Sequence, residues 1–390
     1  MNQKLSDNLV KKIAFIAGEE SGDQHAAKLL AAIQKKIPDV QAYGLGGKHL
    51  QALGMDSLMD LTTLAITGVS GVLGHLSSIK KAFSLIQKKL LLSPPDLVIL
   101  VDYPGFNLRM AKWINKHLKC PILYYISPQI WAWKEGRIET IKRCVSHMAV
   151  ILPFEKAIYE KAKVPVSYVG HPLSEELAKV PSKQVCRDDL GLDEDQKILA
   201  ILPGSRNMEI TRHMPVICEA LKQLKAKNLE FEIVIPVAQS LNMAVFNPYL
   251  KAIPFPYQLI QGQAQRVIKA SDAVVVASGT ASLECAVLGK PSCIIYKSSW
   301  FNYYLARRWM KVKYLGLCNL LMNRMVCPEL LQMDCNPKEL GKMISLLLND
   351  SELKVKMEYD LQALNQHLVR SKDEKLEDTV LSLLAQNQPA

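Results

Sequence analysis

The chain has 390 residues, 49% of them hydrophobic, which is enough apolar matter for more than one packed core, so two domains of ordinary size are expected. Its 48 Lys and Arg against 37 Asp and Glu leave a formal charge of +11, pointing to an anionic partner: nucleic acid, a phosphate-bearing substrate or an acidic membrane surface. Nine cysteines without a CxxC pair argue against a disulfide framework and a structural zinc site, and neither a signal peptide nor a bilayer-spanning stretch is legible, which predicts a protein on the cytoplasmic side.

Short β-branched runs alternate with longer helical patterns. In chain order they are KIAFIAG (12–18), DLVILVD (96–102), PILYYIS (121–127) and HMAVILPF (147–154), then KILAILPGS (197–205), FEIVIPVA (231–238), DAVVVASG (272–279) and PSCIIYK (291–297). Their hydrophobicity is continuous rather than alternating, as in strands covered on both faces, so the fold class is α/β with doubly wound parallel sheets. The polar stretch 174–197 between the two series carries no strand and is taken as a hinge. Expected domains are residues 1–178 and 179–350, each Rossmann-like, with helices from 351 to 390 packing back on the first domain or on a partner chain.

Parallel sheets of this kind bind ligands outside the carboxyl ends of their strands, where helix N-termini offer free backbone N–H groups. At the first such junction, IAGEESGDQHAAKLL (16–30), Asp23 has the spacing of an N-cap, leaving Glu19 and Ser21 to face a crevice. GLGG at 44–47 is a turn and a weak phosphate signal. In DLVILVDYPGFNLRMAKW (96–113), Asp102 ends a buried strand before the Pro104–Gly105 turn. It either caps the loop backbone or acts as a general base toward an acceptor hydroxyl. YYISPQIWAWKEGR (124–137) follows the next strand, and its Trp131 and Trp133 either fill core or line a groove.

Two junctions stand out in the second half, LPGSRNMEI (202–210) and ASGTASLE (277–284). Gly204, Ser205, Ser278, Gly279 and Thr280 let the backbone approach a phosphate, and Arg206 adds a cation that forks onto phosphate oxygens. Ordinary N-capping by Ser205 or Thr280 is the plainer alternative. A capping box explains neither carboxylate, because Arg206 and Ala281 stand three residues before Glu209 and Glu284. Glu284 is left as a first-turn charge or as an acceptor for a ribose diol.

Two segments carry cations without acids. Residues 61–95 hold Lys80, Lys81, Lys88 and Lys89 after an apolar stretch containing Val69, Val72 and Leu73, and KSSWFNYYLARRWMKVK (297–313) sets Arg307, Arg308 and Lys311 among aromatics. That mixture suits an anionic phospholipid surface, and no RNA-binding signature accompanies it, so no nucleic-acid partner is expected.

Taken together, the motifs AGEESGD, DYPGFN, SPQIWAW, LPFE, VGHPL, LPGSR with its following EI, ASGTASLE, and YLGLCNLL with PELLQ resemble the lipid-A-disaccharide synthase family. They run in family order from residue 17 to 332. The resemblance implies a GT-B fold, two Rossmann-like domains facing an interdomain cleft, and an inverting transfer of diacylglucosamine from its UDP-linked form to the 6-hydroxyl of diacylglucosamine 1-phosphate. It implies Asp102 as general base and Arg206, Glu284 and Asn319 on the nucleotide side, with Gln332 beside them. Glu19, Ser21, Asn107, Gln129 and Trp131 would line the acceptor side. It further implies catalysis without a metal or other cofactor, two acylated substrates, work at the inner face of the cytoplasmic membrane and room for a homodimer. Gly105, Ala26 and Cys318 depart from the family's usual Asp, Gly and Pro. A UDP-sugar 2-epimerase of the same architecture and a non-catalytic nucleotide-sugar sensor are the alternatives.

Overall fold

The structure, a computed structural model, describes residues 10–62, 72–132, 135–299, 312–369 and 375–386, with only the backbone described at 72–76. The chain divides into two compact units, Met1–Gly170 with Arg370–Ala390, and His171–Val369.

The first unit is built on a parallel sheet in the order β3-β2-β1-β4-β5-β6-β7. The strands are β1 (Lys12–Ala17), β2 (Gln41–Leu45), β3 (Asp56–Met59), β4 (Leu97–Val101), β5 (Ile122–Tyr125), β6 (His147–Val150) and β7 (Val166–Tyr168). In β4 the whole run LVILV is buried, because helices cover both sheet faces and leave no polar side for alternation. The second sheet repeats the plan as β10-β9-β8-β11-β12-β13. Its strands are β8 (Ile198–Leu202), β9 (Glu232–Val237), β10 (Tyr257–Gln261), β11 (Ala273–Ala277), β12 (Ser292–Tyr296) and β13 (Glu329–Leu331).

In both sheets strand order reverses at one place, between β1 and β4 and between β8 and β11. There the helices leave to opposite faces and a crevice opens beyond the strand ends. Pairing puts Ala17 opposite Val101 and Val276 opposite Leu202, so the residues that follow each pair stand side by side at those openings.

The stretch expected to be a hinge is helical at Pro172–Leu177 and Lys183–Leu190, and Leu173, Leu177 and Cys186 are buried in the second unit's core. The expected boundary at 178/179 therefore falls after a helix that already belongs to the second unit. The C-terminal helices separate. Ser351–Leu368 buries Met357, Leu361, Leu364 and Leu368 in the second core, whereas Leu376–Gln386 buries Leu376, Val380, Leu383 and Leu384 with Phe15 and Leu30 in the first. Among the described residues no helix is long and apolar enough to cross a membrane, and no cluster of His, Cys, Asp and Glu is placed to hold a metal ion.

Candidate functional site

At the opening of the first sheet, Gly18 follows β1 with no room for a side chain, since a Cβ there would stand 2.2 Å from the Tyr103 ring. Glu19 is the N-cap of the helix Glu20–Lys36 in extended conformation, exposed and without a capping side-chain bond; Ser21 is exposed in the first turn. Asp23 does not cap this helix. Its buried carboxylate accepts from the Gly47 N–H at 2.7 Å and the His49 N–H at 2.9 Å, capping the next helix, Lys48–Ala52, and explaining the GLGG turn without a phosphate.

Across the opening, Asp102 and Tyr103 adopt left-handed backbone with φ of 46° and 44°, turning β4 into the helix Pro104–His117. Such strain persists where its surroundings enforce it, and here three bonds do. The Asp102 N–H donates to the Tyr125 carbonyl at 2.9 Å, while the Asp102 carbonyl accepts from the Tyr124 hydroxyl at 2.7 Å and Asn107 Nδ2 at 2.8 Å. The Asp102 carboxyl is pushed up to about 6 by burial first and by the charge of Glu19 second, with the Tyr103 N–H opposing. It therefore has the basicity of a proton acceptor near neutral pH.

Asn107, expected to line the acceptor side, is instead fully buried, and its Nδ2 also lies 3.1 Å from the Val101 carbonyl. It braces the strand end that aims Asp102. Gly105 has right-handed helical geometry, and a Cβ there would meet nothing within 4 Å, so the family's Asp would fit without displacing anything.

Beyond β5, Ile126 has a φ of 65°, an uncommon conformation for a β-branched residue. Gln129 is exposed. Trp131 donates its indole N–H to Glu155 Oε1 at 3.0 Å and meets the Phe154 ring edge-on at 5.2 Å. Glu155 is 2% exposed, and burial pushes its carboxyl up to about 7 against the bonds from Trp131, the Leu152 N–H and Ser127. Trp133 lies outside the described residues.

In the second unit, Gly204 has a φ of 133° and passes so close to Glu209 that a Cβ would stand 2.4 Å from the Glu209 Cβ. Arg206, not Ser205, is the N-cap of the helix Asn207–Lys225, and its side chain makes no capping bond. Glu209 folds back instead: Oε2 accepts from the Ser205 N–H and Oε1 from Arg206 Nη1, each at 2.8 Å. Spacing to the cap concealed this because the bonded N–H precedes the cap by one residue. Arg206 is otherwise open to solvent, 78% exposed.

Sequence reasoning missed His213, which is 2% exposed on that helix. Nδ1 lies 2.6 Å from the Pro203 carbonyl, and Nε2 accepts from the Lys297 N–H at 3.0 Å, so the neutral tautomer with hydrogen on Nδ1 ties the loop after β8 to the loop after β12. Burial foremost lowers its basicity, which keeps that tautomer neutral.

Next to it, Gly279, with a φ of 151°, is the N-cap of the helix Thr280–Val287. Thr280 sits inside the helix rather than capping it, and Gly279 and Thr280 are exposed, Ser278 half-buried. The first N–H groups of this helix have no capping side chain, the arrangement that accepts an anion. Glu284, one turn in, is half-buried, its carboxyl raised by burial and then by Glu176, against a bond from Gln265.

Gln332 follows the carboxyl end of β13, whereas Asn319 bonds residues that lead into that strand, and the side chains of both are spent on the protein. Asn319 Oδ1 accepts from the Val326 and Cys327 N–H groups at 2.7 and 2.8 Å, and Nδ2 donates to the Cys327 carbonyl and to Glu329 at 2.6 and 2.7 Å. Glu329, another residue that sequence reasoning passed over, accepts from the Leu315 and Gly316 N–H groups, both at 2.9 Å. Gln332 pairs with both backbone groups of Ser298, at 2.6 and 3.1 Å. These residues hold loop shape; they do not present free amides to a ligand.

Of the residues expected to face a membrane, Lys80 and Lys81 are exposed on the helix Val72–Leu92. The side chains of Val72 and Leu73, and all of Val69, Arg307, Arg308 and Lys311, lie outside the described residues.

A family model described as lipid-A-disaccharide synthetase matches residues 13–382. Lipid-A-disaccharide synthase 1 of Legionella pneumophila (strain Philadelphia 1) is 48% identical over 374 residues, 96% of this chain and 97% of that one. Among solved structures, the calicheamicin glycosyltransferase CalG4 aligns with a TM-score of 0.60 at 12% identity, covering 98% of this chain and 100% of that one. UDP-GlcNAc 2-epimerase from Neisseria meningitidis, bound to UDP-GlcNAc, aligns with a TM-score of 0.59 at 14% identity over 96% and 100%. Structural likeness at such identities fixes the fold and leaves transferase and epimerase undivided; the family match divides them.

Proposed function

Because the chain belongs to the lipid-A-disaccharide synthetase family, we propose that it is the glycosyltransferase that joins two acylated glucosamine units into the lipid A disaccharide. A UDP-linked diacylglucosamine is the donor, and the 6-hydroxyl of a diacylglucosamine 1-phosphate is the acceptor. The observation that carries the chemistry is Asp102, held on a strained strand end with a carboxyl pushed up to about 6.

The acceptor oxygen attacks the anomeric carbon from the face opposite the leaving group. Its bond to that carbon forms as the bond from carbon to the diphosphate oxygen breaks, and the hydroxyl proton passes to the Asp102 carboxylate. UDP leaves with the electron pair. Arg206 and the open N-terminus of the helix Thr280–Val287 offset its growing charge, so the scheme asks for no resident cofactor. His213, Asn319 and Gln332 act in it as positioning residues. The exposed Lys80 and Lys81 support docking to an anionic phospholipid surface, where acyl chains too insoluble for water are delivered.

The test is UDP release from the acylated donor in mixed micelles, with and without the acylated acceptor, for the wild type and Asp102→Ala. Release that requires acceptor and collapses in the variant is expected. Release without acceptor, or a variant that turns over normally, refutes the assignment of mechanism.

A further inference from the structure

We propose that Glu155 and Tyr159 are positioning residues for the acceptor sugar. From one helix they clamp the loop after β5 at two points, Trp131 and Ser127, and so fix the Trp131 ring as a wall against which the acceptor's glucosamine is set beside Asp102. The clamp rests on the transferase reading above and adds both residues to it. Tyr159 lies outside the motifs of the site, and LPFE (152–155), which contains Glu155, has no part in the scheme.

Glu155 and Tyr159 stand four residues apart on the helix Pro153–Lys161, which puts them on one face a turn apart. Glu155 Oε1 accepts from the Trp131 indole N–H at 3.0 Å, and the Tyr159 hydroxyl lies 2.8 Å from Ser127 Oγ. Glu155, Tyr159 and Ser127 are all buried, so water does not compete for these bonds. Ile126, immediately before Ser127, keeps its left-handed backbone with its N–H bonded to the Ala149 carbonyl at 3.0 Å. Strain of that kind persists only where neighbours over-determine it, and the clamp is such a neighbour.

The same loop leads out of the two residues that hold the general base. The Tyr125 carbonyl accepts from the Asp102 N–H, and the Tyr124 hydroxyl donates to the Asp102 carbonyl. Glu155 lies in the first turn after β6, so its bond keeps Trp131 at the carboxyl edge of the sheet. Trp131 turns its N–H inward and meets Phe154 edge-on, yet it is only half-buried, which leaves ring surface open at that edge. A pyranose offers a face of C–H groups to such a ring while its hydroxyls stay at the rim. Seated there, the acceptor can turn its 6-hydroxyl to Asp102.

Helix capping accounts for only half of Glu155. Its Oε2 accepts from the Leu152 N–H at 3.3 Å, three residues back, and caps its own helix; Oε1 reaches 24 residues back along the chain to Trp131. Both donors are neutral, and burial raises the carboxyl, so a charge here costs stability that an apolar side chain would not. A carboxylate offers two acceptor oxygens where an amide offers one, and with two the helix cap and the loop are held together.

The experiment measures UDP release in mixed micelles, with donor and acceptor varied in turn, for wild type, Glu155→Leu, Trp131→Phe, the double variant and Tyr159→Phe. Thermal melts check that each is folded. Glu155→Leu and Trp131→Phe are each expected to lower kcat/KM for the acceptor about tenfold, the worth of a buried hydrogen bond, while the donor KM stays within about twofold of wild type. Because Glu155 acts through Trp131, the double variant is expected to lose no more than either single one. Tyr159→Phe removes one hydroxyl, keeps the ring and is expected to lower the same kcat/KM about threefold. It and Trp131→Phe carry the test if Glu155→Leu does not fold.

Acceptor and donor constants that move together, melts that fall with the acceptor kcat/KM unchanged, or losses that add in the double variant overturn the clamp while the transferase reading stands. A wild type without acceptor-dependent release brings down that reading, and the clamp with it.

Discussion

Replacing the general base should stabilise the protein as it stops the reaction. The Asp102 carboxyl titrates at about 6 in the folded chain against about 3.9 unfolded, so below both values it is protonated in either state and costs nothing. Between them the unfolded chain releases the proton and the folded chain keeps it, so stability falls as pH rises through this window and then levels off. Two units at 1.36 kcal/mol each give a deficit of up to about 3 kcal/mol at pH 7. Asp102→Asn removes the titration and keeps the size of the side chain. Its gain over wild type should grow from about 0.5 kcal/mol at pH 4 to about 3 kcal/mol above pH 6.5, the latter a rise of roughly 6 to 12 °C in the melting temperature of a unit this size. Calorimetry at pH 4, 5.5 and 7.5 reads the difference, and turnover should fall by about a hundredfold or more. A variant less stable than wild type at pH 7.5, or one whose advantage does not vary with pH, would refute the claim that burial and Glu19 hold this carboxyl up.

Glu19 follows the strand end that pairs beside Asp102, and its charge helps to raise the Asp102 carboxyl. Glu19→Gln should therefore move the acid limb of kcat/KM to lower pH, with a smaller displacement at high salt because Glu19 is exposed; an unmoved limb at low salt counts against the coupling. Asn319→Ala strips partners from the N–H groups of Val326 and Cys327 and the Cys327 carbonyl, all bonded to a side chain with no solvent exposure, so urea unfolding should show a loss of roughly 3 kcal/mol or more. If that variant unfolds like wild type and loses only UDP affinity, Asn319 is a ligand contact after all.

Every interior strand but β2 was legible, because a strand covered on both faces has no polar positions to blur it; β2, whose QAYGL starts exposed and ends in glycine-rich sequence, was passed over and its end read as a turn. LVILV, ILAIL and AVVVA, the runs of β4, β8 and β11, are buried from end to end. DSLM, VSY, YQLIQ and ELL were passed over, and they are β3, β7, β10 and β13, the outer strands of the two sheets. An outer strand has one paired edge and a half-exposed face, so its composition tends toward that of a loop. The stretch 174–197 misled for a related reason. Its helices are short and mostly polar, and each commits few residues to the core, which is too sparse a pattern to separate from a linker.

The candidate site was legible where function resides in the backbone and obscure where it resides in a long-range brace. Gly204 and Gly279 announce loops that only glycine makes easily, and Asp102 announces a charge at the end of an apolar strand. Asn319 and Gln332 belong to the same family motifs, which mark their positions without saying which way an amide points. Seven residues separate Asn319 from Val326 in sequence and 34 separate Gln332 from Ser298, so the partners that consume these side chains cannot be inferred from local spacing. His213 is harder still, since in the sequence it is one histidine within a helix, and its meaning lies in two carbonyl-end loops that only the sheet brings together. Asn319 and Gln332 are motif residues that preserve the shape of a loop. The two roles part in a measurement: a brace costs stability whether or not nucleotide is present, whereas a contact costs affinity alone.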